Sequence, residues 1–185
     1  MKNPNSKQNS TRYQPRDIVV LAHNIRSIYN IGSIFRTSEG FGAKKIILSG
    51  YSPFPKLAGE KFSDTGRLPY LADKITAQIH KTALGAEESV TFNTSKNIKD
   101  TILNLKNQGY KVVALEQSVD SIKLPEFNTS KDTKIALLLG EEVNGIDEEL
   151  IRLCDYTLEI PMFGRKESFN VSVAAGIALY KIACE

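Results

Sequence analysis

Cysteine, histidine and long apolar runs are scarce in this chain of 185 residues. Its two cysteines, Cys154 and Cys184, form no Cys-x-x-Cys pair, and His23 and His80 lie far from both in sequence. We therefore expect no metal and no disulfide framework, and reduced thiols fit a cytoplasmic protein. No apolar run approaches the roughly 20 residues that a membrane-spanning helix needs. The N-terminus also lacks the apolar core of a signal peptide, so we expect no membrane partner.

Charge is distributed unevenly along the chain. The first 16 residues contain no acidic side chain but four basic ones, Lys2, Lys7, Arg12 and Arg16. They hold few apolar groups whose burial could offset the entropy of ordering, so residues 1–16 are expected to be a disordered tail. The tail is either a solvated segment or a basic arm that contacts RNA phosphates. Residues 17–185 are long enough to form one domain with its own core.

Short apolar runs alternate with amphipathic stretches along the chain. The apolar runs cover residues 18–22, 46–48, 112–115, 135–139 and 156–160. Continuous apolar strands of this kind are typical of a parallel sheet that is covered on both faces. Helices are expected near residues 31–39, 70–84, 97–108, 147–153 and 169–183. The alternation predicts a single α/β domain with a mostly parallel sheet and helices on both faces.

Residues 50–69 break this alternation and contain three prolines, Pro53, Pro55 and Pro69. Aromatic and basic side chains are mixed in the segment: Tyr51, Phe54, Lys56, Lys61, Phe62 and Arg67. The segment is either a long surface loop or a substrate contact in which aromatic rings stack on bases and cations hold phosphates.

The first block with chemical potential reads Asn-Ile-Gly-Ser-Ile-Phe-Arg-Thr over residues 30–37. Asn30 is expected to cap a helix, and Gly32 is expected to leave room for a ligand beside the first turn. Asn30, Ser33 and Arg36 step by three and should share one helix face. Taken alone, the block fits an amphipathic helix with one solvated arginine better than it fits a catalytic site.

The second block is an apolar strand that ends at Gly140 and is followed by Glu141, Glu142 and Gly145. Ligands of open α/β sheets bind beyond the carboxyl ends of strands, which is where this block lies. It contains neither a Gly-x-Gly-x-x-Gly fingerprint nor a P-loop, and its acids disfavour a phosphate-rich cofactor. The alternative is a strand-to-helix turn with acids near a helix N-terminus.

The third block joins a short apolar strand, through Gly-Arg-Lys, to a helix of small residues over positions 160–174. Ser168 is placed where it could cap that helix. The alanines and glycine that follow predict close helix packing, either within one subunit or across a dimer.

The three blocks, in this order, resemble the signature motifs of the SpoU/TrmH-type RNA ribose methyltransferases over roughly residues 17–184. The resemblance implies a SPOUT fold whose C-terminal part forms a deep trefoil knot, a rare exception to normal chain topology. It also implies a homodimer that uses S-adenosylmethionine to methylate the ribose 2′-hydroxyl of tRNA or rRNA.

The resemblance also implies site residues, position by position. The catalytic set is Arg36, Asn30, Glu142, Ser168 and Asn170. Cofactor contacts are implied for Leu115, Glu116, Gly140, Ile160 and Phe169, the last of which stands where the family often has leucine. Many relatives have a folded N-terminal RNA-binding domain, which this chain is not expected to have. Substrate choice would then depend on the tail, the 50–69 segment and the dimer surface.

Arg36 is matched to the arginine to which the family's hydroxyl activation is assigned. A guanidinium stays protonated because its pKa lies above about 12, so the hypothesis is that Arg36 holds a phosphate and stabilises the developing oxyanion. The proton would then pass to the phosphate or to water. A catalytically silent RNA-binding or scaffolding protein on the same fold is the alternative. A nucleotide-binding α/β hydrolase is disfavoured because a nucleophile elbow and a P-loop are absent.

Overall fold

The computed structural model describes residues 16–185, and parallel strands form the centre of this part of the chain. The strands are β1 (Ile18–His23), β2 (Lys45–Ser49), β3 (Phe92–Ser95), β4 (Tyr110–Leu115), β5 (Ile122–Lys123), β6 (Lys134–Leu139) and β7 (Tyr156–Glu159). They form one sheet in the order β3-β2-β1-β6-β4-β7-β5, and each neighbouring pair is parallel. The predicted parallel α/β sheet is confirmed.

Helices follow most strands. They are α1 (Ile28–Gly40), α2 (Phe62–Thr65), α3 (Pro69–Ala83), α4 (Ala86–Ser89), α5 (Ile98–Asn107), α6 (Glu148–Ile151) and α7 (Val171–Cys184), with a 3₁₀ turn at Leu124–Glu126. The sequence did not predict β3, β5, α2 or α4. The strand β3 reads Phe-Asn-Thr-Ser at the sheet edge and β5 has two residues, so neither presents an apolar run.

The core lies on both faces of the sheet because side chains alternate along each strand. Ile18 and Val20 of β1 pack in a cluster with residues of α1, α3 and α7. Val19 and Leu21 point the other way, into a cluster with residues of α5 and α6. This double coverage explains why the central strands are apolar throughout. None of the described helices is long and apolar enough to cross a membrane.

The start of α1 differs from the prediction. Ser27, not Asn30, is the N-cap, and its Oγ accepts a hydrogen bond from the backbone N–H of Asn30 at 3.2 Å. Gly32 does not make room for a ligand. A Cβ at this position would lie 2.1 Å from Thr82 Oγ1 and 2.4 Å from the carbonyl oxygen of Ile79. The glycine therefore allows α1 to approach α3.

The start of α7 also corrects the prediction for Ser168. The N-cap is Asn170, whose Oδ1 accepts a hydrogen bond from the backbone N–H of Ser172 at 2.9 Å. A Cβ on Gly176 would lie 3.6 Å from Thr37 of α1. The small residues of α7 therefore pack within the same subunit, with Ala175 fully buried.

Arg16 was assigned to the tail, but its guanidinium is held by the folded part of the chain. It donates to the carbonyl oxygens of Ser130 at 2.7 Å, Thr129 at 3.2 Å and Ile182 at 2.9 Å. Arg16 therefore joins the segment before β6 to the end of α7. The expectation of a disordered tail, either solvated or in contact with RNA phosphates, otherwise falls on residues 1–15, outside the described residues.

Candidate active site

A cleft of about 260 Å³ follows the carboxyl ends of β4, β6 and β7. Its walls come from the segments that continue these strands, within residues 115–117, 139–145, 158–162 and 167–169, and from the start of α7. All five residues predicted to contact a cofactor line it: Leu115, Glu116, Gly140, Ile160 and Phe169. Ser168 and Glu142 of the predicted catalytic set line it as well.

A tight turn after β6 forms one wall of this cleft. The backbone groups of Glu141 and Gly145 exchange two hydrogen bonds, of 3.1 and 3.0 Å. Gly145 has a φ of +71°, and a Cβ there would lie 2.2 Å from Glu116 Oε2. The Glu116 carboxylate in turn accepts hydrogen bonds from the backbone N–H groups of Ile146 and Gln117, both at 2.9 Å. Glu116 therefore supports the turn from beneath, a role that its sequence position did not predict.

A chain of hydrogen bonds links the three sequence blocks. Asn30 Nδ2 donates to Glu142 Oε1 at 3.0 Å, and Asn170 Nδ2 donates to Asn30 Oδ1 at 3.2 Å. Asn170 Oδ1 accepts from the backbone N–H of Ser172. A carboxylate can only accept, so Glu142 fixes the orientation of the Asn30 amide, which in turn fixes that of Asn170. The three predicted residues Asn30, Glu142 and Asn170 therefore form one unit.

Arg26 joins this unit, although the sequence analysis did not single it out. Its backbone N–H donates to Glu142 Oε2 at 3.3 Å, and its guanidinium forms an ion pair with Glu141. The guanidinium carbon lies 5.9 Å from the centroid of the Tyr51 ring. Arg26 thus connects the loops after β1, β2 and β6. The sequence offered one indication of this role: Arg26 stands four residues before Asn30, in a loop that follows a central strand.

The ionised form of Glu141 is stabilised within this turn. A hydrogen bond from Asn144 Nδ2, at 2.7 Å, is the main factor that lowers the pKa of the Glu141 carboxyl, and Arg26 lowers it further. A carboxylate that accepts such bonds holds its proton weakly. The rim of the cleft therefore carries the Glu141–Arg26 ion pair beside Glu142.

Arg36 is separated from the hydrogen-bonded unit. It is exposed on α1, outside the cleft lining, and its guanidinium has no hydrogen-bond or ion-pair partner among residues 16–185. Ser168 is exposed at the cleft mouth. The predicted catalytic set thus has three parts. Asn30, Glu142 and Asn170 are hydrogen-bonded to one another, Ser168 lies on the cleft wall, and Arg36 is an exposed cation on α1.

The irregular segment between β2 and α3 is a structured lobe. Arg67 donates to both carboxylate oxygens of Glu60, at 2.9 and 2.6 Å, and to the carbonyl of Phe54 at 2.7 Å. Its guanidinium lies 3.7 Å from the centroid of the Phe54 ring. The hydrogen bonds from Arg67 are the main reason that the pKa of Glu60 is lowered to about 2. Arg67 and Phe54 therefore stabilise the lobe, which leaves Tyr51 and Phe62 as its exposed aromatic residues.

The lining of the cleft combines apolar side chains with carboxylates. The apolar side chains include Leu115, Leu139, Leu158 and Ile160, and the acids are Glu116, Glu141, Glu142, Glu159 and Glu167. An apolar wall suits an aromatic ring, while the carboxylates favour a positively charged group and oppose phosphates. The cleft therefore fits a small ligand that carries both a flat apolar part and a cation.

One group of side chains has the composition of a metal site. His80, Glu87 and Glu88 bring their ligand atoms within 4.8 Å of one another. Glu87 is already engaged, because Oε1 lies 2.5 Å from His80 Nδ1 and Oε2 accepts from the backbone N–H of Gly85 at 3.1 Å. These contacts tie α3 to α4, and the expectation of a metal-free protein stays a prediction.

The chain is similar in sequence to known RNA methyltransferases. The sequence profile of the SpoU rRNA Methylase family matches residues 67–180. The chain is 28% identical to a tRNA (guanosine(18)-2′-O)-methyltransferase of Aquifex aeolicus, over 90% of this chain and 68% of that protein. It is 31% identical to a 23S rRNA (guanosine-2′-O-)-methyltransferase, RlmB, of Burkholderia sp, over 83% and 53%.

Solved structures show the same fold. An AdoMet-bound rRNA methyltransferase from Sinorhizobium meliloti aligns with a TM-score of 0.72 at 25% identity, over 91% of this chain and 56% of that one. This chain spans between about half and two thirds of the length of the curated relatives named above.

Proposed function

The chain belongs to the SpoU rRNA methylase family, and we propose that it transfers a methyl group from S-adenosylmethionine to a ribose 2′-hydroxyl of tRNA or rRNA. The observation that carries the proposal is the hydrogen-bonded unit of Asn30, Glu142 and Asn170 at the edge of an acidic cleft. The relatives named above methylate guanosine riboses in tRNA and in 23S rRNA.

The cleft fits this cofactor by its chemistry. S-adenosylmethionine, when bound, supplies a methyl group on a sulfonium, which is already a good leaving group. Leu115, Ile160 and Phe169 offer apolar surface for an adenine ring, and the surrounding carboxylates suit the positive charges of the cofactor. Gly140 is buried, and a Cβ there would lie 2.4 Å from Ile146 Cγ1 and 2.7 Å from the carbonyl oxygen of Gly145, so the glycine lets the turn after β6 pack against the end of the strand.

The protein's own contribution is to position and polarise the ribose. The hydrogen bond between Asn170 and Asn30 fixes the two side-chain amides relative to each other, and the Glu142 carboxylate fixes the orientation of the Asn30 amide. Arg36 lies on the same helix as Asn30, and its guanidinium can hold an RNA phosphate and stabilise negative charge on the attacking oxygen. Ser168 lines the cleft mouth, which supports a role for its hydroxyl in orienting the ribose. The proton leaves to the phosphate or to water.

A homodimer is part of the proposal. Val173, Ile177 and Tyr180 lie on one side of α7 and are 49%, 36% and 54% exposed. Residues spaced by four and three share a helix face, so these three form a continuous apolar stripe. A second copy packed on this stripe would remove it from water. We further infer a C-terminal trefoil knot, as the family implies, and a cytoplasmic location, where tRNA and rRNA are found.

Methyl transfer by the purified protein tests the proposal. The protein is incubated with methyl-labelled S-adenosylmethionine and either unmodified tRNA transcripts or 23S rRNA fragments, and the nucleosides are identified by mass spectrometry. We expect one 2′-O-methylated nucleoside in one of the two RNA classes. RNA binding without transfer to any of these RNAs would favour the catalytically silent alternative.

Arg36→Lys is the matched variant for the mechanism. A lysine keeps the charge but cannot reproduce the planar fork of the guanidinium. The single-turnover rate should fall by about tenfold or more. A rate near that of the wild type would contradict the clamp role of Arg36 without affecting the assigned reaction.

A further inference from the structure

The loop between β7 and α7 has two parts with different surroundings. Its ends line the cleft, through Ile160 and Met162 on one side and Glu167 and Ser168 on the other. Gln117 Nε2 donates to the carbonyl of Glu167 at 2.6 Å and anchors the second end. The middle of the loop, residues 163–166, is absent from the lining and lies exposed beyond the cleft mouth.

Phe163 is the most unusual residue of this middle part. It is 98% exposed, whereas the other phenylalanines with large exposure, Phe62 and Phe169, reach 57% and 42%. The neighbouring Gly164 has nothing within 4 Å of the position where a Cβ would stand, so the loop has free space around it. A fully exposed aromatic ring at a cleft mouth leaves both of its faces available for stacking.

Two cations accompany this ring. Arg165 and Lys166 are exposed, and no carboxylate among residues 16–185 pairs with either. Some other exposed cations have acidic partners, for example Lys56 with Asp73 at 2.7 Å. An aromatic platform beside unpaired cations is the combination with which proteins bind unstacked nucleotides.

We propose that Phe163, Arg165 and Lys166 form a nucleotide-docking loop, in which the Phe163 ring stacks on a base of the RNA and the two cations hold flanking phosphates. The inference builds on the proposed function, because the loop would present that nucleotide to the cleft that its own ends line. The acidic lining of the cleft repels phosphates, so the cations outside it keep the RNA backbone at the rim.

Other occupants fit this loop less well. A cofactor in the cleft would contact the loop ends, not residues 163–166. A second copy packed about a two-fold axis at this loop would bring two identical pairs of cations together. The apolar stripe on α7 offers such a copy a surface with fewer charges.

The test is RNA affinity, measured without cofactor by fluorescence anisotropy on a fluorescein-labelled, unmodified tRNA transcript. Phe163→Ala should weaken binding by about 10- to 100-fold, and Phe163→Trp should retain it, because base stacking needs only an aromatic face. The matched control is Val119→Ala, at a position that is 103% exposed on another loop. It should bind as the wild type does.

The two cations are tested by the salt dependence of binding. Arg165→Gln combined with Lys166→Gln should lower the slope of log K against log salt by about 1.4 to 1.8, the value for two phosphate contacts. Calorimetry with S-adenosylmethionine and light scattering should show unchanged cofactor affinity and unchanged mass for all variants.

Several outcomes would overturn the inference. They are unchanged RNA affinity in Phe163→Ala, a loss of cofactor affinity in that variant, or a change in its oligomeric state. The outcomes for the loop and for the proposed function are separable. Weaker RNA binding in Phe163→Ala would support the loop even if the wild type transferred no methyl group. Methyl transfer with unchanged RNA affinity in Phe163→Ala would support the function and reject the loop.

Discussion

Asn30 occupies the point at which the three sequence blocks of this chain meet. It donates to Glu142 and accepts from Asn170, so both ends of its amide are used. Asn30→Asp keeps the shape but removes the donor and places two carboxylates side by side. The methyl-transfer rate at pH 8 should fall by about 10- to 100-fold, the equivalent of one hydrogen bond to a charged group.

The pH dependence of the rate distinguishes loss of the Asn30–Glu142 hydrogen bond from misfolding of the variant. Two neighbouring carboxylates raise the pKa of one of them, so the Asn30→Asp variant should regain part of its relative activity as the pH falls toward 6. Glu39→Gln, at an exposed position of the same helix, is the control and should behave as the wild type does. A variant as active as the wild type at pH 8 would show that the Asn30–Glu142 hydrogen bond is dispensable.

Glu60 gives a prediction for stability. Its pKa is about 2 in the folded protein, against an ordinary value of 4.5, chiefly because of the hydrogen bonds from Arg67. A lowered folded-state pKa contributes stability that is complete above about pH 5 and is lost as the pH falls toward 2. Glu60→Gln should therefore reduce the free energy of unfolding at pH 7 by up to about 3 kcal/mol.

The pH dependence of the stability difference between the wild type and Glu60→Gln tests whether the fold lowers the pKa of Glu60. Urea unfolding of the wild type and Glu60→Gln at pH 7, 5 and 3.5 should give a difference that is largest at pH 7 and shrinks below pH 5. A difference that stays constant over this range would mean that the Glu60 carboxylate is not selectively stabilised by the fold.

Some functional residues were predictable from the sequence, and others were not. Glu142 and Asn30 were predicted as site residues because they match a family motif, and the structure joins them by a hydrogen bond. The caps were misassigned because Ser27, Asn30, Ser168 and Asn170 are all good capping residues. The two candidates are three positions apart in α1 and two in α7, and local sequence does not determine which of them caps the helix. The packing of the helix on its neighbours determines where it begins. Arg26 was missed because its partners are more than 100 positions away.

At the level of elements, the packing of α1 on α3 depends on Gly32. A Cβ at Gly32 would overlap Thr82 Oγ1 and the backbone oxygen of Ile79, which cannot be relieved by rotating a side chain. Gly32→Ala should therefore lower the free energy of unfolding by about 1 to 3 kcal/mol through overpacking. Chemical denaturation measures this change.

Gly40, in the last turn of the same helix, provides the control. Nothing lies within 4 Å of the position of its Cβ. Gly40→Ala should be neutral or stabilise the protein by up to about 1 kcal/mol, since alanine has the higher helix propensity. Equal effects of the two substitutions would contradict the close approach of α1 and α3.

The elements that were predicted from sequence are those whose burial leaves an apolar pattern. The central strands β1, β4 and β6 are covered on both faces and read as continuous apolar runs. Three of the four residues of the edge strand β3 are polar, and the lobe around Glu60 is built from side-chain hydrogen bonds, which have no periodicity. Such contacts cannot be predicted from the hydropathy of the sequence.

At the level of the whole molecule, the exposed stripe on α7 predicts a dimer. Val173→Lys places a charge within the proposed contact and should halve the mass measured by light scattering at micromolar concentration. Leu103→Lys, at a residue of α5 that is 47% exposed against 49% for Val173, is the matched control and should leave the mass unchanged. A monomeric wild type, or a dimer that survives Val173→Lys, would contradict this assignment.

The central claim is that this chain methylates an RNA ribose. The most direct test maps 2′-O-methylation across total RNA from cells with the gene, without it, and with the gene carrying Arg36→Ala. We predict that one or a few methylated positions in tRNA or rRNA are lost without the gene, return with the wild type and do not return with Arg36→Ala. A methylation map that is identical in all of these cells would contradict the claim.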